Sequence, residues 1–404
     1  MTAQEWIWCA YIFSLGCCIG SFLNVVIYRL PREKSLIKPG STCPGCGKPI
    51  RFYDNIPLVS WIVLGAKCRR CKTRISARYV IVELLTGLAF LGLYLLYFHT
   101  DVRPEMQVRG GWFVYLIHLV LLAAFIAGSA IDLELWIIPL SICWLVTAAG
   151  LVGSAAGGYV VAPPAEGAYR LLPSASPATG AIGLGSAVGL AIAMALLKLG
   201  LIKRSYESPA EGGSEGSAST EQGDAKKSEP PFGDEPWFNH RLEAFREIVF
   251  LAPIIACAVV AHAILTRPGA VATWWTGLFG VPAVAGFLGS LFGYFVGCAV
   301  IWATRIFGTL GFGKEAMGLG DVHLMGAAGA VIGPVTVVVA FFVAPFFGLG
   351  WALFQMFFKK IRQIPYGPFL SLAVLTVMIF HDWILNRFAL VFMGTFAFTA
   401  LQGG

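Results

Sequence analysis

Ten apolar runs dominate the sequence, most of them close to the roughly 20 residues that a helix needs to cross a bilayer. They lie at Trp6–Tyr28, Val80–Phe98, Trp112–Ile131, Trp136–Tyr159, Ala181–Ile202, Ile248–Thr266, Val281–Thr304, Val322–Gly333, Val335–Phe358 and Phe369–Leu385. Hydrophobic residues make up 57% of the 404 positions and charged ones only 13%, about half the charge that clothes a soluble domain. A soluble enzyme, a disordered chain and a disulfide-rich secreted domain are excluded. The expected fold is an all-α polytopic membrane protein with about eight to ten transmembrane helices and one small cytoplasmic zinc-binding domain. Val322–Gly333 is short for a span, and Pro334 either kinks one long helix or separates two; two spans keep Lys359 on the basic side.

The basic residues orient these spans. Twelve Lys and Arg lie between Arg29 and Arg78, opposed only by Glu33 and Asp54. That segment is expected in the cytoplasm, with the N-terminus outside and the first helix retained. Alternation then brings Lys203–Arg246, Arg305–Gly320 and Lys359–Arg362 to the same side, each with its own basic residues. The resulting division is a first transmembrane helix at 1–30, the cysteine domain at 31–79 and transmembrane helices with the first acidic candidate at 80–204. A disordered cytoplasmic insertion at 205–246, rich in Gly, Ser, Glu and Pro, precedes transmembrane helices with a GxGD string at 247–404.

Cys43-Pro-Gly-Cys46 and Cys68-Arg-Arg-Cys71 form two CxxC knuckles with 21 residues between them. Two such knuckles complete a tetrahedral four-thiolate zinc site, which is structural because no coordination position is left for water. Gly45 and Gly47 allow the turn, and Lys67, Arg69, Arg70 and Lys72 offset the thiolate charge. Disulfides or free thiols are the alternative, and a cytoplasmic location disfavours disulfides. The remaining six of the ten cysteines lie in apolar runs as small buried hydrophobes.

Ionisable residues at membrane depth are costly and mark function. Asp132 follows Phe125–Ile131, and Asp321 ends Gly318-Leu-Gly-Asp321. The expected topology places both near the cytoplasmic face. Two carboxylates meeting in a low dielectric share a proton. One then acts as base on a water while the other protonates a carbonyl oxygen, which cleaves a peptide without a metal. Gly318 and Gly320 would let a peptide backbone pass close to Asp321. The alternative is that both aspartates cap the helices that follow them.

With these residues in view, the chain resembles the bacterial prepilin peptidases, or type IV leader peptidases, of the GxGD aspartic class. The resemblance rests on Gly20-Ser-Phe-Leu-Asn-Val-Val-Ile-Tyr-Arg-Leu-Pro31, the CxxC pairs with Asp54-Asn-Ile-Pro-Leu-Val-Ser-Trp61 between them, and Ile75-Ser-Ala-Arg-Tyr79. Glu83-Leu-Leu-Thr-Gly87, Lys314-Glu-Ala-Met-Gly-Leu-Gly-Asp321 and Ile364-Pro-Tyr-Gly-Pro-Phe369 extend it. It implies Asp132 and Asp321 as the catalytic pair and Cys43, Cys46, Cys68 and Cys71 as the metal ligands. It implies a multi-pass protein of the bacterial inner membrane that cuts the leader from type IV prepilins or pilin-like secretion proteins at the cytoplasmic face. It further implies N-methylation of the new N-terminus with S-adenosylmethionine, with no residues assigned to that donor. Leu140 after Pro139 and His323 after Asp321-Val322 depart from the family pattern, and about 157–272 matches none of its motifs.

The rival reading is a non-enzymatic transporter or assembly scaffold with a zinc-stabilised cytoplasmic module. A conduit needs polar residues along several spans, whereas the clear acidic pair here sits at one depth. No HExxH string is present for a metalloprotease. Membrane orientation accounts for the basic surface, so the expected partners are a prepilin or pseudopilin and the lipid bilayer, and no nucleic acid.

Overall fold

The structure is a computed structural model, and it describes residues 2–107, 110–161, 171–203, 205, 239–358, 365–381 and 383–384. Each of the ten apolar runs forms a helix. These are α1 (Ala3–Arg29), α3 (Ala77–Phe98), α4 (Gly111–Leu135), α5 (Leu140–Val160), α6 (Pro177–Lys198), α7 (His240–Thr266), α9 (Pro282–Phe312), α10 (Leu319–Ile332), α11 (Pro334–Phe358) and α12 (Gly367–Ile379). Eight of them are long and apolar enough to cross a membrane, and α10 and α12 are shorter. Two further pieces are short: α2 (Val59–Val63) in the cysteine segment and α8 (Ala270–Leu278) between α7 and α9. Among the described residues there is no extended strand, only isolated bridges at Thr42–Pro49 and Lys67–Arg74. The chain is thus an all-α multi-pass membrane protein.

Of the insertion placed at 205–246, residues 206–238 lie outside the described residues, and α7 already begins at His240. Lys359–Arg362, expected on the basic side, also lies outside them.

Helix α10 occupies the centre. Its 14 residues reach only about 21 Å, well short of the roughly 30 Å hydrocarbon layer. It tolerates that because it is surrounded by protein: Val322, Met325, Ala327, Ala328, Ala330 and Val331 are all fully buried. Helices α4, α5, α9, α11 and α12 pack around it. Pro334 does not kink one long helix. Gly333, at φ +86°, ends α10, and Pro334 starts α11 as its first residue, where its missing N–H costs nothing.

Helix α1 pairs with α3, and α6 pairs with α7 on the flank of α9. In the most apolar stretch of α7 only 6% of residues are buried, so this helix forms the outer rim.

Close approach of backbones holds the centre together. A methyl group on Gly293 of α9 would run into the Gly329 carbonyl of α10, and one on Gly329 would meet the Gly293 carbonyl. Small residues at such crossings replace the hydrophobic drive that lipid cannot supply. Gly293→Leu is expected to destabilise the folded chain by about 1–3 kcal/mol in detergent unfolding. Gly311→Ala, on the same helix with open space around it, is expected to leave the midpoint unchanged or raise it.

Candidate active site and metal centre

Asp132 lies in the last turn of α4, which ends where Trp136 adopts a left-handed conformation (φ 59°) and returns its N–H to the Asp132 carbonyl. The chain then turns through Ile138 into α5, whose N-cap is Pro139. Asp132 therefore caps nothing. Its carboxylate is 6% exposed and accepts the N–H of Gly367, the first residue of α12. A Cβ on Gly367 would lie 2.6 Å from Asp132 Oδ2 and 3.1 Å from Ile138 Cδ1. A side chain at 367 would displace the carboxylate from this place.

Asp321 is the third residue of α10, with Gly318 at the N-cap. It is 9% exposed, and its carboxylate accepts the Gly318 N–H. This is the reciprocal half of a capping box, so the capping alternative holds in part for Asp321 and fails for Asp132. Gly320 meets Ile138: a Cβ there would lie 3.0 Å from the Ile138 Cβ. Ile138 thus wedges between the two acidic turns, against Gly320 on one side and Gly367 on the other.

The structure brings the two acidic turns together at Ile138, and Asp321 lies in the field of both Asp132 and Arg305. Tyr366 and Cys143 also lie in the field of Asp321. Sequence reasoning missed Gly367, Ile138 and Arg305. The signals were a Gly-Pro pair opening the last apolar run and a lone Arg directly after Thr304.

The four cysteines also converge. Their Sγ atoms all lie within 4.8 Å of one another, and Cys43 and Cys71 are 3.6 Å apart. A tetrahedron with Zn–S bonds of about 2.3 Å sets its sulfurs about 3.8 Å apart, so this donor set fits Zn2+. No disulfide joins any two of the four. The two knuckles repeat one another residue for residue. Cys43 N–H donates to Lys48 O at 3.0 Å and Gly47 N–H to Cys43 O at 2.9 Å; Cys68 N–H donates to Thr73 O at 2.9 Å and Lys72 N–H to Cys68 O at 3.1 Å. Gly47 and Lys72 occupy the same left-handed position, at φ 65° and 59°.

Hydrogen bonding by Thr73, through its hydroxyl and then its backbone, holds the Cys71 thiol down to about 6. Of the basic residues assigned to offset the thiolates, Arg69 instead forks onto Asp54 at 2.7 Å. Arg78 at the head of α3 pairs with Glu134, two residues beyond Asp132. The cysteine segment and the Asp132 turn are therefore tied at one end of the bundle.

Comparison with known proteins bears on the N-terminal part of the chain. Residues 14–97, from α1 through the cysteine quartet to the end of α3, match the family described as Bacterial Peptidase A24 N-terminal domain. The chain is similar to prepilin leader peptidases. It is 46% identical over 132 residues to the prepilin leader peptidase/N-methyltransferase of Myxococcus xanthus (strain DK1622), covering 32% of this chain and 36% of the relative. It is 37% identical over 175 residues to the protein of the same name from Neisseria gonorrhoeae, covering 36% and 55%. It is 44% identical over 137 residues to the type 4 prepilin-like proteins leader peptide-processing enzyme of Escherichia coli O78:H11 (strain H10407 / ETEC), covering 30% and 46%. The chain thus spans between 36% and 55% of the length of these three relatives. The resemblance read from the motifs is borne out. No solved structure matches the chain.

The purified chain is expected to carry one zinc ion per polypeptide by elemental analysis, and Cys68→Ala to lose it. Zinc affinity is expected to fall on acidification, because each thiol must shed its proton to bind.

Proposed function

We propose that the chain is a membrane aspartic endopeptidase that removes the leader of type IV prepilins or pilin-like secretion proteins at the cytoplasmic face of the bacterial inner membrane. The observation that carries this reading is the meeting of Asp132 and Asp321, from opposite parts of the sequence, in one buried site. The names of the relatives supply the substrate class.

The chemistry follows from the pair. One carboxylate takes a proton from water as the water attacks the scissile carbonyl carbon. The other, protonated, gives its proton to the carbonyl oxygen, and the departing amine then receives a proton from the carboxyl pair. The Gly367 and Gly318 amides hold the two side chains in place meanwhile. The cytoplasmic assignment is supported by the Arg78–Glu134 tie, which sets Asp132 at the same end as the twelve basic residues of Arg29–Arg78.

Cys43, Cys46, Cys68 and Cys71 hold a structural zinc in this reading. The ion supplies a fixed cross-link for a segment with few apolar residues of its own. S-adenosylmethionine is the methyl donor that the relatives' N-methyltransferase names suggest. The described residues assign no side chain to it.

The test is co-expression with a prepilin and mass measurement of the product's N-terminus. Asp132→Asn and Asp321→Asn are each expected to lower cleavage by roughly 100-fold or more at unchanged abundance in the membrane. Cleavage retained in both variants would favour the transporter or scaffold reading. A product heavier by one methyl group would assign methyl transfer.

A further inference from the structure

A buried charged cluster that the two-carboxylate chemistry leaves unused lies behind the Gly318–Asp321 turn. Its centre is Arg305, near the C-terminal end of α9 and only 3% exposed. Arg305 Nε donates to Glu247 Oε1 at 2.7 Å. The same guanidinium meets Glu315 Oε1 at 2.5 Å and the Met317 carbonyl. Glu247, 4% exposed, stands two turns into α7. Its second oxygen accepts the Trp302 indole N–H at 3.1 Å, and Ser205 Oγ lies 3.5 Å from its first.

The segment that Arg305 grips joins α9 to α10 and has no regular structure of its own. Glycines stand at both of its ends, 313 and 318, so its backbone has wide freedom unless something fixes it. Tethers on α9 fix three consecutive residues. Glu315 is paired with Arg305, the Ala316 N–H donates to Thr309 Oγ1 at 3.3 Å, and the Met317 carbonyl accepts from Arg305. The next residue is Gly318, whose amide holds the Asp321 carboxylate. A guanidinium is a rigid fork that grips several acceptors at set angles. It keeps those angles only if its other edge is anchored, and Glu247 is that anchor.

We propose that Arg305, anchored by Glu247, is a positioning residue: its grip on Glu315 and Met317 sets where Asp321 stands opposite Asp132. The inference rests on the two-carboxylate reading above. It also gives work to α7, which lies within 157–272, the stretch that the family motifs leave uncovered.

The experiment compares the full chain, reconstituted in lipid nanodiscs, with Glu247→Gln, Arg305→Lys and Glu315→Gln, using a prepilin as substrate. Each variant is expected to lose between about 10- and 100-fold in kcat per folded molecule, as small misplacements of reacting groups do. KM is expected to stay within about twofold. The double variant Glu247→Gln/Arg305→Lys is expected to be no worse than Arg305→Lys alone, because the two act in series. Hydrogen exchange at the amides of 313–318 is expected to rise in Glu247→Gln.

Unchanged kcat in folded Glu247→Gln and Glu315→Gln, or unchanged exchange at 313–318, would overturn the proposal. So would a rise in KM at constant kcat. If Arg305→Lys does not accumulate, Glu315→Gln reads the same segment without stranding the buried Glu247. Asp321→Asn, run alongside, separates the two failures. A wild-type chain that leaves the prepilin intact, or an Asp321→Asn that cuts it normally, sinks the peptidase reading. Loss confined to Asp321→Asn sinks only the positioning role.

Discussion

A carboxylate buried away from bulk water must find its donors within the protein. Both aspartates meet that demand in the same way. Asp132 takes the amide of Gly367 at the start of α12, and Asp321 takes the amide of Gly318 at the start of α10. These are amides that a helix leaves without an internal partner. The arrangement requires two helices to begin at the depth where α4 ends. A 14-residue α10, too short to reach across the bilayer and shielded by neighbours on all sides, satisfies it.

Much of this was legible in the sequence. Every apolar run became a helix, because hydrophobic length is a local property and lipid enforces it. The CxxC pairs were legible because a metal-type knuckle is written in a few consecutive residues. Asp132 and Asp321 stood out as charges where charge is costly. What was not legible was relational. Nothing local to Gly367 says that a carboxylate from α4 will fill the space its missing side chain leaves. Nothing local to Ile138 says that it will separate two acidic turns. Lys72 in a left-handed turn, where the first knuckle has Gly47, is visible only once the two knuckles are laid over one another. The bond between Glu247 and Arg305 likewise exists only because α7 packs beside α9.

The cysteine segment and the membrane bundle are joined through more than the chain itself. Glu83 of α3 accepts the Leu58 N–H at 2.9 Å, and Asn24 of α1 donates to the Tyr79 carbonyl at 3.0 Å. With Arg78 on Glu134, these bonds link the α1–α3 pair to the turn after Asp132. A metal that orders the knuckles would therefore bear, through α3, on the acidic site as well.

The late place of Gly367 in the sequence has a consequence for how the chain is made. During synthesis the ribosome completes α4 long before it reaches α12, and for that interval Asp132 is without the amide that receives it. A carboxylate so exposed resists entry into lipid, which would hold the tip of α4 at the aqueous boundary. Helix α12, emerging later, would then close a site whose other parts are already in place.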